Sequence, residues 1–191
     1  MQTITLPMLP FCCLLLAGSA IAAELTPAQQ QALANPPASV TEEIERYIPR
    51  LLAWYDKAEA ELLPQGRPLN PAELTIARTL KIQHPDRVRI VVLETFLLPD
   101  DAELHAEAEQ GGMGSEDART MGDAVLLKPY LHENPTVIAH ELVHIAQHDR
   151  LGRAAFMRRY LTELEVVGYD AAPLEAEAYE RQDALAAGQA N

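Results

Sequence analysis

The sequence predicts an α+β protein, predominantly helical, in which a small sheet packs against helices. Two short apolar runs read as strands, RVRIVVLE over residues 87–94 and DAVLLKPY over 123–130. Most of the remainder places apolar residues at helical spacing behind Asn-Pro or Ser-x-x-Glu starts. Almost directly after the second strand comes NPTVIAHELVHIAQHDRLG, a helix of roughly four turns whose histidines recur every fourth residue.

A length of 191 residues suits one domain with a sizeable core. Residues 1–23 contain no charged side chain and end in Ala20-Ile21-Ala22, an A-x-A cleavage pattern, so they read as a secretory signal peptide. The usual positive n-region is missing, and residues 4–23 are just long enough for an uncleaved anchor. Pro7, Pro10 and the small-residue end favour cleavage. Both cysteines, Cys12 and Cys13, fall in this leader, so the expected mature chain, 24–191, has no disulfide and no thiolate ligand. The chain carries 15 Lys plus Arg against 28 Asp plus Glu, a net charge of −13, without a basic block. That argues against nucleic acid or an anionic membrane as a partner. The expected location is the periplasm or the exterior.

Residues 24–84 read as N-terminal helices. The first covers Pro27 to Ala34 and is closed by Asn35-Pro36-Pro37. The next opens on a capping box, Ser39-Val40-Thr41-Glu42, and runs to about Leu63 with Ile44, Ile48, Leu51, Leu52, Tyr55 and Leu62 as its buried stripe. Pro49 should kink or divide it, and Trp54 reads as a packing residue. Asn70-Pro71 starts a third helix through about Ile82.

Residues 85–188 read as a metal-binding core. After the first strand comes an acidic segment with a helical front, the lone and solvated His105, and a mobile loop at Gly111-Gly112-Met113-Gly114. Beyond Gly152, an amphipathic helix spans Arg153 to about Val167, and Gly168-Tyr169-Asp170 forms a turn. A last helix runs from Pro173 towards Gly188.

The chemistry is concentrated in His140-Glu141-Leu142-Val143-His144. Asn134 caps this helix, Pro135 occupies its first position and Gly152 stops it. Residues four apart stand one above the other, so His140 and His144 can offer two imidazole nitrogens to one metal ion. Glu141 stands beside them as a base within reach of a metal-held water, the donor set of a zinc hydrolase. A third protein ligand is expected. His148 lies about 12 Å from His140 along the axis at 1.5 Å per residue, too far to share one ion on a straight helix. It is better placed as a supporting, substrate-facing or solvated group. Gln147 and Arg150 stand where a metzincin would have Gly and His, so a carboxylate is the natural third ligand. Glu163, Glu165, Glu175 and Glu177 are candidates. Leu174, Ala178 and Leu185 mark the apolar side of the last helix, and Glu175 lies on its flank. Glu177 points away, with Arg181 at i+4 as a surface partner. Glu175 is the choice and Glu163 the runner-up.

VIAHELVHIAQH followed by APLEAEAYE resembles the gluzincin-type zinc metallopeptidases, in particular small bacterial domains with an "AHELxHxxQ" helix and a later "PxExEA" helix. RVRIVV and ARTMGDAVLLKP resemble the strands that precede that helix, so the likeness covers roughly residues 85–182. It implies a zincin-like fold, one zinc ion per chain on His140, His144 and Glu175, and Ala178 as the small residue of an ExxA-type segment. Two positions depart from the pattern. Tyr179 stands where many relatives carry a supporting Asp, and His148 replaces a polar amide.

The expected function is therefore that of an exported zinc metallopeptidase acting on a peptide or protein substrate, with Glu141 as the general base. Tyr160, Tyr169 and His148 are candidates for the group that faces the oxyanion. The strand at 87–94 would offer its edge to an extended peptide. The competing expectations are a non-catalytic, zinc-stabilised binding module and an exported helical protein without metal.

Overall fold

A computed structural model describes residues 24–189; the leader and its cleavage pattern lie outside them. The described chain is α+β and mostly helical, with one four-stranded mixed sheet. None of its helices is long and apolar enough to cross a membrane.

Helix α1, Pro27–Ala34, begins on a reciprocal capping box between Thr26 and Gln29. Helix α2, Ala38–Leu62, differs from expectation at two places. It starts one residue before Ser39 on Pro37, without a side-chain cap, so the Ser39-x-x-Glu42 pattern goes unused. It also runs unbroken through Pro49, because Ile44, Ile48, Leu51, Tyr55 and Leu62 are buried on both sides of the proline. Packing along the whole stripe outweighs one lost backbone hydrogen bond.

Strand β1, Arg67–Pro68, and helix α3, Pro71–Thr79, follow. Helix α3 ends before Ile82, the expected limit. Lys81 takes φ +62, its N–H bonds the Arg78 carbonyl, and the Ile82 N–H bonds that of Ala77. This is a Schellman stop with lysine in the position usually held by glycine. The two expected strands appear as β2, Arg89–Val92, and β4, Ala124–Leu127. Between them lie helix α4, Ala102–Gln110, and strand β3, Ala118–Met121, which the residue pattern alone did not mark, although the family resemblance took in its residues. The remaining helices are α5, Pro135–Leu151, α6, Arg153–Val167, and α7, Pro173–Gln189, close to the expected limits.

The sheet order is β1-β2-β4-β3, with β2 and β4 parallel and both outer pairs antiparallel. Side chains alternate between two cores, as the period of two in a strand requires. Ile90, Val125 and Leu127 meet α3 and α5 on one face. Val91, Ala124 and Leu126 meet α2 and α6 on the other. Covering both faces explains why AVLL in β4 is apolar without alternation. Because β2 lies inside the sheet, it is not the free edge that the sequence suggested; on the side of the site that edge belongs to β3.

A two-residue turn, Gly122-Asp123, joins β3 to β4, with Gly122 at φ +65. Buried Glu59 of α2 accepts the Asp123 N–H at 2.7 Å and pairs with Arg153 at the start of α6. One carboxylate therefore fixes the hairpin, α2 and α6 together.

Candidate metal centre

Helix α5 is buried from Val137 through His148, on every face. A helix enclosed on all sides must hold its polar groups in partnered positions. Asn134 starts it by accepting the N–H groups of Thr136 and Val137, and Gly152, at φ +80, ends it. That left-handed turn leads straight into α6, while α7 packs back along α5 and carries Glu175 in its first turn.

The expected ligands converge. Nε2 of His140 and Nε2 of His144 are 3.2 Å apart. Glu175 places Oε2 3.2 Å from His140 Nε2 and Oε1 3.4 Å from His144 Nε2. All three residues are buried. A tetrahedral ion with bonds of about 2.0–2.1 Å needs donors about 3.3–3.4 Å apart, which these separations match. The donor chemistry agrees. Burial opposes ionisation of Glu175, yet the charge of His144 and hydrogen bonds from both histidines hold its carboxyl well below the usual range. Burial likewise pushes His144 down, but Glu175, with smaller contributions from Glu141 and Gln147, raises it to about 9. The cluster thus keeps a buried carboxylate that demands positive charge beside it. Two imidazoles and a carboxylate in this arrangement can hold a metal ion.

Two of the three candidate ligands, His144 and Glu175, are held by hydrogen bonds from outside the cluster. Gln147 Oε1 lies 2.8 Å from His144 Nδ1, which assigns the proton to Nδ1 and leaves Nε2 as the donor atom. The Tyr160 hydroxyl donates to Glu175 Oε1 at 2.7 Å. Glu163, the runner-up ligand, instead accepts the Leu174 N–H at 2.7 Å and pairs with Arg159, so it anchors the start of α7. Glu177 is not a ligand either. Its partner is chiefly Arg150, at 2.7–2.8 Å, rather than Arg181 at 3.8 Å. The long-range partner was invisible to i,i+4 reasoning. His140 lacks the usual outer bond: among the described residues its Nδ1 has no hydrogen-bond partner. The Tyr179 ring packs against His140 at 4.6 Å and its hydroxyl lies 3.2 Å from that of Tyr169.

Glu141 projects beside the ligands into a cavity of about 70 Å³, against the ~10–15 Å³ that one water requires. Thr120 of β3 holds its Oε2 at 2.7 Å and also reaches its carbonyl at 2.8 Å. Of the oxyanion candidates, His148 and Tyr160 line this cavity and Tyr169 does not; Tyr179, at the position of a supporting group, is also outside its lining. His148 is not solvated. Its ring packs at a tilt against Phe156, with centroids 3.9 Å apart, and burial, helped by the charges of His144 and Arg153, lowers it to about 3. Trp54 packs in the α2 core and also forms part of the cavity wall.

Sequence reasoning missed Thr120 and the supporting role of Gln147. Thr120 sits in strand β3, which no β-branched run marks. Gln147 carried a readable signal, since it lies three residues after His144 and so on the same helix face. Comparison with protein-family models, curated proteins and solved structures finds no match to this chain.

Proposed function

We propose that this chain is an exported zinc-dependent peptidase of zincin-like fold. The observation that carries the reading is Glu141: a carboxylate held by Thr120 faces the same cavity as His144 and Glu175, two of the three convergent ligands. A purely structural metal site has no need of it, which disfavours the alternative of a zinc-stabilised binding module.

The donor separations suit zinc among ions that favour four-coordination by nitrogen and carboxylate. Zinc on His140, His144 and Glu175 would polarise a carbonyl and bring the pKa of a water towards neutrality. Glu141 accepts the proton of the attacking water and returns it to the leaving nitrogen. Thr120 keeps that carboxylate in place, and Tyr160 does the same for Glu175. Ala118, Arg119 and Thr120 put the edge strand β3 along the cavity, where an extended peptide can lie beside it. Aromatic walls from Trp54, Tyr55 and Phe156 limit water around the reacting bond. Export rests on the leader sequence alone.

The test is metal analysis of the purified protein together with hydrolysis of a mixed peptide library. One zinc per chain and cleavage that disappears in Glu141→Gln, with zinc retained, are the expected results. A zinc-loaded protein that cleaves nothing would favour the binding module.

A further inference from the structure

A second cavity lies beside the metal centre, between α2, α4 and α6. It shares Leu51, Met113 and Leu161 with the catalytic cavity, so the two adjoin along that wall. Its surface is largely apolar, from residues such as Val40, Ile44 and Leu104. Three carboxylates interrupt it: Glu43 of α2, Glu107 of α4 and Glu165 of α6. No Lys or Arg lines it among the described residues. Arg46, outside the lining, pairs with Glu43 at 3.6 Å and with Glu103 at 2.8 Å. Oε2 of Glu107 is buried and has no hydrogen-bond partner among the described residues.

Burial raises Glu165, and the charges of Glu43 and Glu107 add to the effect. Glu107 and Glu165 are half-buried like charges with no ion-pair partner among the described residues, an unfavourable arrangement that a bound cation relieves. A long basic side chain fits both features, with its methylene stem on the apolar wall and its charged end among the carboxylates.

We propose that this cavity is the subsite for a lysine or arginine side chain of the peptide whose scissile bond lies at the metal centre. The assignment rests on the peptidase reading. Met113 is placed on the shared wall by a loop in which Gly112 and Gly114 both have positive φ, at +82 and +94, so this residue borders both the reacting bond and the side chain.

The test compares two peptides that differ only in lysine or its neutral near-isostere norleucine. Binding to the zinc-supplemented full-length Glu141→Gln protein is measured by calorimetry, and cleavage by the parent protein is measured alongside. The lysine peptide should bind about ten-fold more tightly, the effect of one well-formed ion pair, and the preference should shrink as salt rises. In proteins that also carry Glu107→Gln and Glu165→Gln, the ratio should fall to about one while zinc content stays unchanged. If that combination fails to fold, Glu165→Gln alone should still reduce the ratio. Equal affinity for the two peptides, or a lysine preference that survives both substitutions, overturns the subsite. Lysine-selective binding to the Glu141→Gln protein, with neither peptide cleaved by the parent, overturns the peptidase reading and leaves the cation pocket standing. Equal cleavage of both peptides overturns the pocket and leaves the peptidase.

Discussion

The side-chain amide of Gln147 joins the two helices that build the candidate metal centre. Its oxygen lies 2.8 Å from His144 Nδ1 and its nitrogen donates to the Leu174 carbonyl at 2.9 Å. One fully buried group therefore orients an imidazole on α5 and fixes the turn of α7 next to Glu175. An imidazole whose outer nitrogen donates to an oxygen keeps the other nitrogen free and becomes a better ligand.

Gln147→Met should accordingly fold but bind zinc about 10–100-fold more weakly, the usual cost of losing a supporting hydrogen bond. Competition with a chelator reads this directly. A Gln147→Met protein with parental zinc affinity would remove Gln147 from the site.

Glu175→Gln should lose most of the metal, because a neutral amide replaces the anionic donor that both histidines approach. Glu177→Gln should keep it. Glu177 bonds Arg150 at the half-exposed rim, a contact worth no more than about 1 kcal/mol. Zinc content and thermal stability of the two variants separate the roles, since metal bound only by the folded state adds to its stability. Metal loss in Glu177→Gln with retention in Glu175→Gln would refute the ligand assignment.

Most of this centre was legible in the sequence because its determinants are local. Asn134, Pro135 and Gly152 bound α5 at the positions their cap chemistry demands, and the i,i+4 spacing aligned His140 with His144. Glu175 followed from the apolar side of one helix. What escaped depends on distant partners. Strand β3 reads Ala-Arg-Thr-Met and lacks a β-branched run; pairing with β4 forms it, while Tyr55 takes the Thr120 carbonyl. The start of α2 shows the converse. Ser39-x-x-Glu42 has the right local pattern, yet the helix begins on Pro37. The Lys81 stop was hidden because glycine is the usual signal for a left-handed terminus.

His148 makes acid stability a test of the cavity. Its pKa is lowered to about 3 in the folded protein, chiefly by burial, against 6.5 for the unperturbed imidazole. Between those values the unfolded chain binds the extra proton, so stability falls as pH drops below about 6.5. The loss approaches about 1.4 kcal/mol per pH unit until the folded protein also protonates near 3 or unfolds first. Denaturant titrations at several pH values should show this slope and show it reduced in His148→Leu. An unchanged slope would mean that His148 is not the buried, neutral group described above.

The contact between Thr120 and Glu141 predicts how catalysis should fail without loss of the metal. Thr120 Oγ1 stands 2.7 Å from Glu141 Oε2 and 2.8 Å from the Glu141 carbonyl, so its single proton serves both the base and the helix that carries it. It makes no hydrogen bond to any of the three candidate ligands among the described residues. Thr120→Val keeps the shape and β-branching suited to β3 but removes the donor. The carboxylate is then free to swing from the position at which it meets the attacking water. Because that contact matters most in the transition state, kcat should fall about ten-fold with KM and zinc content nearly unchanged. Thr120→Ser, which restores the hydroxyl, should recover most of the rate. A fall in zinc content would make Thr120 a structural support of the ligand cluster. A Thr120→Val enzyme with parental kcat would mean that Glu141 finds its working position unaided.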